Sequence, residues 1–239
     1  MATKINYCDE TVNPITGCSK CSPGCLNCYA EKLAHRLKGR FGYGEDPFKV
    51  TFHHDKLNSP GKWKSPKVIF VCSMGDIFHA DVEVAWIDQV FAMIKKFSQH
   101  QYLILTKRAQ RMHDYVVDYE QRIGALPSNA WLGVTIEDQV RTEQRLPLLL
   151  DTPAQHRFVS VEPMLEPVVL NGVPGKNQLD WVICGGESGL KARYMNPDWA
   201  RYLRDQCAEL NTAFYMKQMS QNGFIPQDLF VRQLPAGLR

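Results

Sequence analysis

The sequence lacks long hydrophobic runs, a leader-like segment and the common nucleotide-binding fingerprints. No stretch approaches the roughly 18 uninterrupted apolar residues of a membrane helix, and residues 1–14 carry no apolar core of a signal peptide. Neither G-x-G-x-x-G nor a Walker-type phosphate loop is present. We therefore expect a cytoplasmic protein with no membrane partner, in which thiols stay reduced and clustered cysteines indicate metal binding.

The sequence also has no large excess of positive or negative charge, no internal repeat and no obvious linker. The 28 Lys and Arg residues nearly balance the 25 Asp and Glu residues, and the net charge of +3 permits an anionic partner without requiring one. Apolar residues make up 44% of the chain, which is enough for one core. We predict a single domain over residues 1–239, with a long Gly- and Pro-rich excursion at 40–66.

Six short apolar runs predict a sheet. Each is β-branched or aromatic and nearly unbroken in hydrophobicity, which is typical of parallel strands covered on both faces. Helical patterns lie between several of them. The runs occupy residues 67–73, 101–106, 130–135, 157–161, 181–186 and 213–216. This alternation predicts an α/β fold, a partial (β/α) barrel of six or seven parallel strands, with a flat doubly wound sheet as the alternative.

Chemically capable residues follow each apolar run directly. Because the carboxyl ends of parallel strands share one face, we expect these residues to converge on one site. Two of them are glycines, which would let a ligand approach backbone N–H groups closely. In chain order the candidates are Ser73, Asp76, Lys107, Arg108, Glu137, Glu162, Gly185, Gly186, Glu187 and Lys217.

Four of the eight cysteines, Cys18, Cys21, Cys25 and Cys28, lie in the segment 17–34. Three metal centres could use them: a four-thiolate zinc site, a closed electron-transfer cluster, or a 4Fe–4S cluster held by three thiolates with one iron open. Zinc sites usually separate two C-x2-C pairs by about twelve or more residues, and a closed cluster leaves no position for a substrate. The last three cysteines spell C-x3-C-x2-C, the spacing of radical S-adenosylmethionine (SAM) enzymes. The spacing therefore favours the open cluster.

Eight motifs in order extend this pattern over nearly the whole chain. They are NPITGCSKCSPGCLNCYAEKLA, SMGDIFH, LILTKR, WLGVTIED, RFVSVEPML, WVICGGESG, NPDWARYLRDQC and FYMKQ. Together they resemble the phage-associated three-Cys-motif family, which implies a radical-SAM-like barrel, a 4Fe–4S cluster and SAM cleavage, in the host cytoplasm if the chain is phage-encoded. The family pattern G-C-x6-C-x2-C-Y-A favours Cys18 as the first ligand before Cys25 and Cys28. The usual radical SAM spacing favours Cys21 instead, so Cys18 and Cys21 remain alternative candidates for the first ligand.

The chemistry of SAM assigns roles to the candidate residues. Its ammonium needs acceptors, for which Ser73, Asp76 and Glu137 are available, and its ribose hydroxyls favour Glu162 or Glu187. Its carboxylate and an anionic substrate favour cations, so Lys107 and Lys217 are the catalytic candidates, beside Arg108. Radical SAM loops usually place an aromatic residue before the last cysteine. Here Asn27 occupies that position, and we expect Tyr29 to take over the contact with adenine.

The expected reaction is hydrogen abstraction from a substrate by a 5′-deoxyadenosyl radical, with the electron supplied by a donor such as flavodoxin or ferredoxin. Phage association favours a modified nucleotide or DNA base as substrate, by hypermodification or rearrangement at thymine. The basic residues that could meet phosphates are Lys62, Lys64, Lys67, Lys107, Arg108, Arg111, Arg193 and Arg201. Two alternatives are a radical SAM enzyme for a peptide or small metabolite, and a non-catalytic cysteine-cluster module that binds nucleic acid.

Overall fold

The computed structural model describes residues 5–41, 43–170, 172, 175, 178–189 and 191–239. Position 42 of the predicted excursion lies outside the described residues. Strands within the described residues are β1 Glu10–Val12, β2 Ile15–Thr16, β3 Thr51–Phe52, β4 Val68–Val71, β5 Gln101–Thr106, β6 Ala130–Thr135, β7 His156–Val161, β8 Trp181–Gly185 and β9 Ala213–Gln218. Helices there are α1 Tyr29–Arg36, α2 Val84–Lys96, α3 Ala109–Arg122, α4 Gln139–Asp151 and α5 Pro197–Glu209.

Seven strands form one parallel sheet in the order β1-β4-β5-β6-β7-β8-β9. All six apolar runs are strands of this sheet, so the prediction of an α/β fold with six or seven parallel strands is confirmed. The seventh, β1, has three residues and lies at the edge. Strands β2 and β3 form a separate antiparallel pair, which joins part of the 40–66 excursion to the segment before the cysteines.

The sheet curls into a half-barrel. In a flat sheet β4 and β9, five strand spacings apart in this order, would be separated by about 24 Å. Instead one side chain, Tyr7, contacts both of them. Its ring centroid lies 6.2 Å from that of Phe70 on β4, 5.7 Å from that of Trp181 on β8 and 5.9 Å from that of Tyr215 on β9. The N-terminal segment therefore packs inside the curl.

The two faces of the sheet bury different side chains. The inner face is filled mainly by large rings from alternate strand positions, and Leu238 near the end of the chain is buried in the same cluster. The outer face packs against the helices through residues such as Val134 and Val159. Gly133 makes room for one inner ring, because a Cβ there would lie 2.6 Å from Phe158. In the described part of the chain, no helix is long and apolar enough to cross a membrane.

Candidate functional site

The cysteine loop, residues 17–28, lies over the carboxyl ends of the central strands. It begins at Gly17, whose N–H donates to the Met74 carbonyl at 2.9 Å just beyond β4. Gly17 has a φ of +87°, and a Cβ there would lie 2.2 Å from the Lys49 carbonyl oxygen. Glycine is therefore required at this crossing. The loop ends at Cys28, where α1 starts.

Three buried carboxylates fix the cysteine loop from below, each from the end of a different strand. The first is Asp76, which follows β4. It accepts hydrogen bonds from the Thr106 hydroxyl at 2.7 Å and from Arg108 Nη1 at 2.8 Å. Arg108 in turn reaches the loop, with Nη1 3.4 Å from Cys18 Sγ and Nη2 3.1 Å from the Ser19 carbonyl oxygen.

The second carboxylate is Glu137, beyond the end of β6, and its side chain is fully buried. Arg145 on α4 donates to its Oε2 at 2.8 Å. Its Oε1 accepts from the Ser22 hydroxyl and from the Gly24 N–H in the cysteine loop. Burial raises the pKa of Glu137, but the positive charges of Lys107 and Arg145 outweigh it and hold the pKa below its usual value.

The third carboxylate is Glu187, beyond the end of β8. Arg193 donates to it through Nη2 at 2.6 Å and Nε at 3.1 Å, and Asn27 of the loop donates at 2.9 Å. Arg193 also donates to the loop carbonyl of Pro23 at 3.1 Å. Burial raises the pKa of Glu187, and the hydrogen bonds from Arg193 more than offset it, so the pKa lies below its usual value. We call Asp76–Arg108, Glu137–Arg145 and Glu187–Arg193 the anchoring pairs.

The four thiols of the loop line one cavity of about 160 Å³, the thiol cavity. Hydrogen bonding from Cys21 lowers the pKa of Cys25, and the nearby charge of Lys107 acts in the same direction. Burial raises the pKa of Cys18 to about 11, against the influence of Arg108. Among the described residues, no three or more His, Cys, Asp or Glu side chains are grouped as they would be around a single metal ion.

A second cavity of about 220 Å³, the strand-end cavity, adjoins the thiol cavity, and Cys25, Cys28, Tyr29 and Lys107 line both. Its outer walls include Glu162, Glu187, Gly186 and Lys217, and its inner wall is apolar. The structure thus brings most of the predicted residues together on one face.

Glu162 differs from the three anchoring carboxylates. Lys217 Nζ lies 3.1 Å from its Oε1 and donates to its Oε2 at 3.2 Å, and Ser160 also donates to Oε2 at 3.2 Å. Within the described residues no hydrogen bond is made to the buried Oε1. A Cβ at Gly185 would lie 2.6 Å from this oxygen, so glycine there leaves room for the carboxylate. Glu162 therefore lines the cavity wall as the partner of Lys217 rather than as a support of the cysteine loop.

Other predicted residues have different surroundings. Asp76 and Ser73 line the thiol cavity, and Glu137 lies beneath the loop, outside the lining of either cavity. A Cβ at Gly186 would lie 2.2 Å from the Ser220 nitrogen, so this glycine is needed for chain packing as well as for the cavity wall. The sequence did not identify Arg145 as the partner of Glu137, because no sequence pattern pairs an arginine on a helix with a carboxylate eight positions earlier.

Comparison with known proteins gives one match. Residues 2–231 match the sequence family described as protein of unknown function DUF5131. No curated protein and no solved structure matches the chain. Phage association and the three-Cys motif stay predictions. Since the match covers nearly the whole chain, this protein belongs to the DUF5131 family.

Proposed function

We propose that this protein is a radical SAM enzyme whose cysteine loop holds a 4Fe–4S cluster with one iron open to SAM. The observation that carries the proposal is that four thiols surround one cavity, which adjoins a second cavity at the carboxyl ends of the strands. When bound, the cluster would supply the electron that cleaves SAM into methionine and a 5′-deoxyadenosyl radical. An external reductant such as flavodoxin or ferredoxin would provide that electron.

The donor set fits such a cluster. Thiolates are its ligands, and each binds a different iron, so the ligands need not converge on one point as they do around zinc. Cys25 and Cys28 line both cavities, and Cys18 or Cys21 would complete the set. Lys107 lies beside these thiols and would offset their negative charge. The position of the loop favours an enzyme over a binding module, whose cysteines would form a remote knuckle.

The chain's own residues then divide into two groups. The anchoring pairs hold the loop, and their carboxylate oxygens already accept hydrogen bonds from the protein. Glu162 lines the strand-end cavity and is contacted there by Lys217 and Ser160 instead of by the loop, so we assign it to the hydroxyl or ammonium groups of SAM. Lys107 and Lys217 would bind the SAM carboxylate or an anionic substrate. The apolar wall that includes Tyr7 and Phe70 would keep water away from a radical formed beside its target.

Anaerobic reconstitution tests this proposal. Protein loaded with iron and sulfide is mixed with SAM and dithionite, and 5′-deoxyadenosine is measured by chromatography with mass detection. We expect 5′-deoxyadenosine from the wild type and none from Cys28→Ala. Cys207→Ala, at a buried cysteine on α5, is the matched control and should retain the activity. Iron-loaded wild type that produces no 5′-deoxyadenosine would contradict the proposal.

A further inference from the structure

A groove of about 370 Å³ lies beside the strand-end cavity. One wall is α1 and the other is formed by residues 188–189 and Lys191. Asn27, Tyr29 and Ser188 line both the groove and the strand-end cavity. The groove therefore leads directly to the place where the proposed chemistry occurs.

The groove carries uncompensated positive charge. Lys32 and Arg36 are one helical turn apart on α1 and so share a face, and Lys191 stands on the opposite wall. All three residues are exposed, and no carboxylate belongs to the lining. Within the part of the chain that the structure describes, none of the three makes an ion pair, whereas Arg193 nearby is held by Glu187.

We propose that this groove binds the backbone phosphates of a single-stranded nucleic acid, and that the base to be modified enters the strand-end cavity. Cations on both walls suit an extended polyanion lying between them, whereas the convex surface of a folded acidic protein would not enter a groove. Enzymes that act on a base take it out of its stack, which leaves the phosphates outside the pocket. The half-exposed ring of Tyr29 at the junction offers a surface on which a base can stack. The modification of the base rests on the proposed function, but the binding does not.

The test is fluorescence anisotropy of a labelled single-stranded oligodeoxynucleotide of mixed sequence, titrated with the wild type and two triple variants. Lys32→Gln/Arg36→Gln/Lys191→Gln removes the groove cations. Lys62→Gln/Lys64→Gln/Lys67→Gln is the matched control. The sequence alone made these three lysines candidate phosphate contacts, but the structure places them next to the amino end of β4, whereas the groove adjoins the cavity at the carboxyl ends of the strands.

We expect the groove variant to bind at least tenfold more weakly. A plot of log affinity against log salt concentration should be less steep for this variant, by about 2 in slope, because each of the three lost phosphate contacts contributes about 0.7 in single strands. The control should change affinity less than twofold. Equal losses in both variants, or no binding by the wild type at low salt, would overturn the proposal.

Two competitors test the identity of the ligand. Thymidine 5′-monophosphate and poly-glutamate are expected to displace the oligonucleotide only at far higher concentration. Equal competition by the nucleotide would indicate a mononucleotide site, and equal competition by poly-glutamate an acidic protein partner, and either result would overturn the proposal. The titrations contain no SAM and the SAM-cleavage assay contains no nucleic acid, so either can fail without the other.

Discussion

Truncating Arg145 should destabilise the protein strongly, because it leaves the Glu137 carboxylate charged in a dry site. The Glu137 side chain is fully buried and that of Arg145 is 8% exposed, with 2.8 Å between Nη1 and Oε2. Removing one partner of a buried ion pair costs about 3–5 kcal/mol, out of a total stability on the order of 5–15 kcal/mol. At about 2–4 °C per kcal/mol for a chain of this size, Arg145→Met should lower the melting temperature by roughly 10 °C.

The assay is thermal unfolding followed by circular dichroism, with two companion variants. Arg141→Met makes the same change on the same helix at a more exposed pair, 3.4 Å from Asp138, and should cost less than about 1 kcal/mol. Glu137→Gln/Arg145→Met removes the stranded charge and should be more stable than Arg145→Met alone. Because Glu137 holds Ser22 and Gly24, maleimide should label the loop thiols faster in Arg145→Met. If Arg145→Met melted at the same temperature as Arg141→Met, the buried pair would stabilise the protein no more than the more exposed one, contrary to this prediction.

The carboxylates and the cysteines of the site can be tested one by one by mutation. Glu162→Gln should weaken SAM binding at least tenfold in equilibrium dialysis and leave the iron content unchanged, whereas Glu187→Gln should lower the iron content. Loss of iron in Glu162→Gln, with full iron content in Glu187→Gln, would contradict these roles. Cys25→Ala should abolish iron and sulfide binding, and one of Cys18→Ala and Cys21→Ala should be nearly silent, so loss of the cluster in both would exclude a three-thiolate site. Burial raises the pKa of Glu187, but hydrogen bonds from Arg193 lower it by more, so the pKa is lower in the folded protein than in the unfolded chain. Glu187 therefore contributes its full stabilisation of the folded state above its unfolded pKa of about 4.3, and this contribution is lost as the pH falls below that value. Glu187→Gln should therefore flatten the decline in melting temperature between about pH 5 and about pH 3, and an unchanged decline would refute this.

The strands were predictable because their side chains are buried on both faces. All six residues of β6 and four of the six residues of β5 are buried. Burial therefore keeps most positions of these strands apolar, and the apolar run can be recognised in a single sequence. The short β1 carries no such signal, since three residues at a sheet edge do not form an apolar run. The curl of the sheet was expected only from the alternation of elements, and the packing of Tyr7 inside it has no sequence signature.

The candidate site was predictable in place but not in detail. The rule that strand ends share a face located Asp76, Glu137, Glu162 and Glu187 together. It could not show which carboxylates have their oxygens occupied, because that depends on arginines brought in by the fold. Arg108 illustrates this: the sequence suggested an anionic ligand for it, and the structure shows it bound to Asp76 and to the cysteine loop.

Electron paramagnetic resonance of anaerobically purified, dithionite-reduced protein, recorded with and without SAM, shows whether the cysteine loop holds a cluster with an open iron. A cluster with an open iron gives a signal that changes shape when SAM binds, in brown protein that contains about four irons and four sulfides per chain. We expect both the change of signal and this iron and sulfide content. Stoichiometric zinc in place of iron and sulfide, or an iron–sulfur signal that SAM leaves unchanged, would contradict it.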